Sequence, residues 1–225
     1  MEYPEDGHIS VIGDRWLYPI VKLLEELNKY EFGDRNDVQV SAIENGYSVA
    51  IIISMASMVE SFLNKIRCHV NDKIGSKDTT PNRKYFRTYL EESPDEAKKL
   101  DELWAIRDAI IHNHIWGANT TWDNDWNLVY VDRPEIVDDK FYGDNNYRNV
   151  INSKTLTTNR LGLNLVPTKI GKDDAIKVIV ICYEILEQLE KINPEYCCIS
   201  YLKINFDNNE ITFPNFINNL KQKIT

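Results

Sequence analysis

The chain has 225 residues, of which 43% are apolar and 27% charged, so it is long enough to enclose one sizeable core. Its formal net charge of −9 argues against tight, generic nucleic-acid binding, although a small basic cleft is compatible with it. The four cysteines form no Cys-x-x-Cys pair, which favours reduced thiols, a cytoplasmic location and no metal site. The acidic amino terminus is unlike a signal peptide, and the longest apolar run, residues 49–59, is too short to span a bilayer, so we expect no membrane association.

Two helices are predicted in the first third of the chain. The first covers about residues 15–30, with Asp14 as its N-cap. The second covers about residues 38–72 and carries apolar side chains on two opposite sides, which is typical of the central helix of a bundle. Glu60 lies within one of these apolar stripes, where an acidic side chain is unusual.

A third and a fourth helix are predicted over residues 83–92 and 94–116. The start of the fourth is marked by Ser93 as N-cap, by Pro94 in the first turn and by the acids that follow. This helix carries the most unusual pattern in the chain, because charged and histidine side chains are set into a strongly apolar run.

Residues 117–171 lose the helical period and are rich in Asn, Asp, Thr and Trp. Short strands are predicted at residues 128–131 and 161–166, so we interpret this segment as an excursion from the bundle with a small β element. Three tryptophans in or beside it are candidates either to anchor the excursion or to stack on nucleic-acid bases: Trp116, Trp122 and Trp126.

The rest of the chain is predicted to form a helix over residues 175–192, a hairpin over 201–213 and a last helix over 214–224. We therefore expect a single, mainly α domain over residues 1–225, a helical bundle with a small β excursion before its last long helix. Its parts are the bundle (14–116 and 172–193), the insertion (117–171) and the carboxyl-terminal hairpin and helix (200–225).

Arg107 interrupts the apolar face of the helix predicted over residues 94–116. At about 100° per residue, the apolar residues before and after it fall within roughly 60° of Arg107, so we expect it near the middle of the buried face. A buried guanidinium stays charged and requires a partner or a ligand. Because Glu60 shows the same anomaly with the opposite sign, we predict that the two side chains meet in the core, within about 6 Å of each other.

The run Arg107-Asp-Ala-Ile-Ile-His112 has the form Arg-x4-His on a bundle helix. It resembles the signature of the HEPN superfamily (higher eukaryote and prokaryote nucleotide-binding domains), in which Arg is followed by a polar residue, three mostly apolar residues and His. Asp108 fills the polar place. The order of a long helix, a motif helix and a closing helix also resembles that family's bundle, over about residues 14–193 without the excursion.

The resemblance implies a metal-independent endoribonuclease with no cofactor, acting as a bacterial toxin or an antiviral defence effector. His112 would serve as general acid or base in the attack of a ribose 2′-hydroxyl on the adjacent phosphate, and Arg107 would bind that phosphate. These roles suit the two side chains, because histidine titrates near neutral pH and arginine offers a fixed fork of donors. The resemblance also implies an RNA substrate, a homodimer whose two motifs meet, and an antitoxin or defence-system partner.

Two features of the motif leave alternatives open. On one regular helix Arg107 and His112 lie about 140° apart, so a second protomer would be needed to aim both at one phosphate. His114 and Asp108 are further catalytic candidates, although His114 stands where a subset of the family carries a tyrosine that its antitoxin modifies, so regulation of that kind is not supported. The alternative function is a catalytically inactive HEPN-like module that binds a nucleotide, RNA or a protein, with Arg107 merely paired to Glu60 and His112 on the surface.

Overall fold

The computed structural model describes residues 12–32, 39–71, 94–112, 120–131, 149–152, 154–195 and 197–224. Within these ranges the chain is mainly helical, as predicted. The helices are α1 (Leu17–Asn28), α2 (Ala42–Asn71), α3 (Pro94–His112), α4 (Lys172–Ile192) and α5 (Phe213–Ile224). The strands form three antiparallel pairs: β1 (Thr120–Trp122) with β2 (Leu128–Val131), β3 (Ile151–Asn152) with β4 (Thr157–Thr158), and β5 (Lys203–Phe206) with β6 (Asn209–Thr212). The predicted helix at 83–92, the predicted cap Ser93, and both His114 and Trp116 lie outside the described residues.

A turn of 3-10 helix, Gly13–Trp16, precedes α1. Asp14 lies inside this turn and makes no capping hydrogen bond through its side chain, so the predicted N-cap is wrong. A Cβ on Gly13 would come within 2.9 Å of the ring of Phe62, and the missing side chain therefore lets the turn pack closely on α2. The buried residues of α1 follow at steps of three and four: Leu17, Ile20, Val21, Leu24 and Leu27.

The long helix α2 is the centre of the bundle, because it packs against α1, α3 and α4. Within the described residues, the stretch Ala42–Ile66 of α2 is long and apolar enough to cross a membrane by length and composition, and 56% of its most apolar window is buried inside the protein. The central helix of a folded bundle meets the same criterion, since it too must be apolar on most sides. This stretch is longer than the apolar run 49–59 on which we based the expectation of no membrane association.

A buried carboxylate on α3 holds the segment that follows β4. Glu102 is 1% exposed, and its two carboxylate oxygens accept the backbone N–H groups of Arg160 and Leu161, each at 2.9 Å. The side chain of Arg160 also reaches Asp95 near the start of α3, with Nη1 to Oδ1 at 2.8 Å. These contacts attach the excursion to the motif helix along one side of α3.

A second buried carboxylate organises the start of α4. Asp174 is 3% exposed and accepts the N–H of Gly171 at 3.0 Å and that of Asn164 at 2.9 Å. The N–H of Lys172 donates to Oε1 of Glu44 at 2.9 Å. The helix predicted over residues 175–192 is thus confirmed, and α4 begins three residues earlier, at Lys172.

The strand predicted at residues 161–166 is wrong. This stretch forms a turn with a single bridge between Asn164 and Thr157. Backbone N–H groups that would pair with a neighbouring strand are instead accepted by the side chains of Glu102 and Asp174. The strand predicted at residues 128–131 is present as β2.

The predicted carboxyl-terminal hairpin and last helix are both present. The β5–β6 turn places Asp207 and Asn208 in the left-handed region, with φ of 50° and 63°, a conformation that Asp and Asn tolerate better than most residues. Strand β5 packs beside α1, and α5 packs against α4. The buried side of α5 consists of Phe213, Phe216, Ile217 and Leu220.

Candidate functional site

The motif arginine follows the part of α3 that is buried on all sides. From residue 100 to residue 106 every side chain is at most 7% exposed, so this part of α3 is buried around its whole circumference. The Arg107 side chain is 23% exposed, and Ile111, one turn later, is 51% exposed. The prediction that Arg107 lies in the middle of a buried face is therefore wrong, because beyond residue 106 the residue that stays buried is Ala109, about 200° around the helix from Arg107.

Three neighbouring side chains hold the guanidinium of Arg107. Its Nε and Nη2 both lie close to Oδ1 of Asp108, at 2.9 Å and 2.8 Å. Its Nη1 lies 3.5 Å from Oε2 of Glu60 on α2. The guanidinium carbon also lies 5.2 Å from the ring centroid of Trp104, within the range of a cation–π contact. The fork is thus fixed in one orientation by contacts from two helices.

The predicted contact between Glu60 and Arg107 is present, since 3.5 Å is well inside the predicted limit of about 6 Å. Its predicted place in the core is wrong, because 42% of the Glu60 side chain is exposed. The pair lies at the edge of the contact between α2 and α3, where solvent screens it. Pairs in such surroundings contribute roughly 0.2–1 kcal/mol, so this one contributes little to folding.

The local charge balance bears on what Arg107 can bind. One guanidinium and the carboxylates of Asp108 and Glu60 sum to a formal charge of −1, and the Asp108 side chain is 18% exposed. A guanidinium has five N–H donors, and these contacts engage three of them. These contacts therefore leave two N–H groups of the guanidinium, which is the number that a bidentate contact to phosphate uses.

The motif histidine is on the same helix. α3 ends at His112 in the described residues, whereas the side chain of His112 and the whole of His114 lie outside them. Five residues on a regular α-helix correspond to about 7.5 Å along its axis and about 140° around it. Trp104 was missed as a member of the site, although its spacing of three residues before Arg107 is one at which helical side chains meet.

A polar cleft of about 590 Å³ lies between the end of α1, the start of α4 and the β5–β6 turn. Acidic and basic side chains line it in equal number, and Glu25 already accepts the N–H of Asp207 at 2.9 Å. Because its charges balance, the cleft favours neither anions nor cations. Its lining residues are Glu25, Asn28, Lys29, Lys172, Asp207 and Asn208.

Among the residues that the structure describes, no group of three or more His, Cys, Asp or Glu side chains is placed to hold a metal ion. Comparison of the chain with protein-family models, with curated proteins and with solved structures found no match. The chemistry around Arg107 is therefore the basis of the proposed function.

Proposed function

We propose that the protein is a metal-independent endoribonuclease of the kind that the Arg-x4-His motif implies, acting in the cytoplasm as a bacterial toxin or antiviral effector. In this proposal Arg107 binds the scissile phosphate and His112 transfers protons. The observation that carries it is the position of the Arg107 fork, which is partly exposed and fixed by Asp108 and Trp104, on the helix that ends at His112.

The chemistry requires a cation that is already oriented. Attack of a ribose 2′-hydroxyl on the neighbouring phosphate yields a 2′,3′-cyclic phosphate and a free 5′-hydroxyl, while negative charge builds up on the phosphate oxygens. A guanidinium whose donors are fixed in advance stabilises that charge with little reorganisation. In this role Asp108 is a positioning residue, because it sets the orientation of Arg107 and does not itself contact the phosphate.

A second protomer completes the site in this proposal. On one helix Arg107 and His112 are separated by about 140°, so two copies of α3 facing each other bring the arginine of one near the histidine of the other. Ile111 lies within α3, directly before His112, and its exposed side chain supplies apolar surface for such a contact. We therefore expect a dimer in solution at micromolar concentration, measured by light scattering, and a monomer there would contradict the composite site.

A second candidate function is a catalytically inactive module that binds a nucleotide, RNA or a protein partner. It is favoured by the formal charge of −1 around Arg107 and by the net charge of −9, since both weaken attraction for RNA. In that case the contacts of Arg107 serve mainly to join α2 to α3.

One assay separates the two candidates. Purified protein is incubated with RNA in EDTA, and the fragments are tested for 2′,3′-cyclic phosphate ends. We expect cleavage by the wild type, a loss of at least a hundredfold in His112→Ala and in Arg107→Lys, and unchanged activity in the controls His8→Ala and Arg15→Ala. Equal absence of product from the wild type and His112→Ala over many RNAs would reject the enzyme and leave the binding module.

A further inference from the structure

The β1–β2 hairpin, Thr120–Val131, has a surface unlike that of the bundle, and we name it the tryptophan hairpin. Every side chain of it that the structure describes, residues 121–127 and Val129, is exposed. The exposed fractions are 81% for Trp126, 54% for Val129 and 50% for Trp122. The strand pairing is irregular at this point. Thr121 faces Tyr130 and Trp122 faces Leu128, so Val129 lies in a bulge between the two pairs.

Trp126 occupies a backbone position that suits glycine. Its φ is 62°, in the left-handed region that a bulky side chain rarely adopts. Its N–H donates to the carbonyl of Asp123 at 3.2 Å, and the N–H of Asp123 donates to the carbonyl of Asn127 at 3.0 Å. This is the geometry of a hairpin loop closed by a left-handed residue, usually Gly. Folding of the turn therefore does not explain a tryptophan here, and such residues cluster where proteins contact ligands.

The carboxylate of Asp123 accepts three hydrogen bonds within the turn. One oxygen of Asp123 accepts the N–H groups of Asp125 and Asn127, at 2.9 Å and 2.8 Å, and the other accepts the side-chain amide of Asn127 at 3.0 Å. The hydrogen bonds from the side chain and then the backbone of Asn127 lower the pKa of Asp123 below its ordinary value. Residues 120–131 contain two aspartates and neither lysine nor arginine.

An exposed indole beside two carboxylates is suited to a cation. A guanidinium or ammonium group is attracted both to the face of a tryptophan and to nearby carboxylates. RNA is not favoured here, since single-stranded nucleic acid requires positive charge around its stacking aromatics and this hairpin has only negative charge. Tryptophan is also the residue type that most often contributes strongly to protein interfaces, with arginine among its common partners.

We propose that the tryptophan hairpin docks a basic segment of a partner protein. An arginine or lysine of the partner lies over the ring of Trp126 and against Asp123 and Asp125, and an apolar residue of the partner packs on Val129. Arg107 is not one of the residues of this surface, so the proposal holds whether or not the protein cleaves RNA.

The test uses two fluorescently labelled twelve-residue peptides, one alternating Arg and Leu and the other alternating Glu and Leu. We expect the wild type to bind the Arg peptide at least tenfold more tightly than the Glu peptide by fluorescence anisotropy. Trp126→Gly should weaken that binding at least fivefold, and Asp125→Asn at least twofold. Because glycine suits the left-handed position, Trp126→Gly should keep or raise the Tm, so a loss of binding reflects the surface and not unfolding.

Tyr201 provides the matched control, since it is also 81% exposed but lies before β5. Tyr201→Ala should bind the Arg peptide as the wild type does. Equal binding by Trp126→Gly and the wild type would overturn the proposal. So would stronger binding of a twelve-residue oligouridylate or of phosphatidylcholine vesicles than of the Arg peptide, if that binding depended on Trp126.

Discussion

Replacing Glu60 by glutamine separates the two roles that Arg107 can have. Oε2 of Glu60 lies 3.5 Å from Nη1 of Arg107, and 42% of the Glu60 side chain is exposed. Glutamine has the same length and keeps an oxygen that accepts a hydrogen bond, so the substitution removes a charge without opening a cavity. If Arg107 binds phosphate, Glu60 competes with the substrate, and if Arg107 only joins two helices, Glu60 is its structural partner.

The size of the effect follows from the distance and the exposure. Two unit charges 3.5 Å apart interact by roughly 1.2 kcal/mol in water and by about 5 kcal/mol at an effective dielectric constant of about 20. Because solvent reaches both side chains, the pair contributes about 0.2–1 kcal/mol, and Glu60→Gln should lower the free energy of unfolding by no more than that. Removing the competing carboxylate should lower the barrier for RNA cleavage by a similar amount, which corresponds to a rise in kcat/KM of up to about fivefold.

Two measurements are needed on the same preparations. Urea unfolding gives the change in stability, and cleavage of a short fluorogenic RNA in EDTA gives kcat/KM. Glu26→Gln is a matched control, since the Glu26 side chain on α1 is 44% exposed and pairs with Lys29, the residue that follows the helix. We expect the control to change kcat/KM by less than twofold.

Two results would refute this reasoning. A tenfold or greater fall in kcat/KM at unchanged stability would mean that Glu60 positions Arg107 and does not compete with the phosphate. A loss of more than about 3 kcal/mol of stability, with no cleavage by any variant, would mean that the pair is a structural link in surroundings far less polar than its exposure implies.

Three further predictions concern buried groups. Glu102→Gln should lower the free energy of unfolding by about 2–4 kcal/mol in urea, because two backbone N–H groups lose a charged acceptor. Gly171→Ala should lower the free energy of unfolding by about 1–3 kcal/mol, since the new Cβ would lie 2.7 Å from Oε1 of Glu44. Gly46→Ala should raise it by about 0.5–1 kcal/mol, because the Cβ would lie in open space within α2 and alanine favours a helix more than glycine does. Burial, and after it the hydrogen bond to Glu187, raises the pKa of the Tyr183 hydroxyl from 10.0 to about 12. The unfolded chain therefore loses the hydroxyl proton at a lower pH than the native state does, and the free energy of unfolding falls as pH rises from 10 towards 12. Tyr183→Phe should reduce this fall in a urea series taken across that pH range.

Each of these predictions has a result that would contradict it. A change below about 1 kcal/mol in Glu102→Gln would mean that the excursion is attached to α3 mainly by other contacts. Equal effects of the two glycine substitutions would show that helix propensity and not the close approach to Glu44 decides the outcome. An unchanged alkaline slope in Tyr183→Phe would assign that slope to other tyrosines.

Periodic burial was the part of the fold that sequence predicted best. In α1 and α5 one side of the helix faces the core, so the spacing of their apolar residues identified both helices to within a few residues. The same rule was wrong for the surroundings of Arg107. Over residues 100–106 the core surrounds α3 completely, and a helix buried on all sides has no preferred face from which the depth of the next residue can be read.

Residues 160–164 of the excursion were harder to predict, because side chains accept most of their backbone N–H groups where a neighbouring strand was expected to do so. Glu102 accepts N–H groups from residues 58 and 59 positions later in the chain, and Asp174 accepts one from a residue ten positions earlier. Spacing within the excursion carries no signal of such partners. The indication in the sequence was only indirect, since Glu102 is an acidic residue of α3 with apolar neighbours at helical spacing.

The charge around Arg107 has a consequence for how the proposed ribonuclease would be controlled. With Asp108 and Glu60 beside it, one protomer presents a formal charge of −1 to an incoming phosphate and attracts it weakly. In the composite site proposed above, a positively charged His112 of the partner protomer would bring the formal charge around the phosphate from −1 to zero. Dimer formation and protonation of His112 would then both raise the electrostatic potential at the phosphate. In this proposal an isolated protomer attracts phosphate less than the assembled dimer does, so assembly favours cleavage.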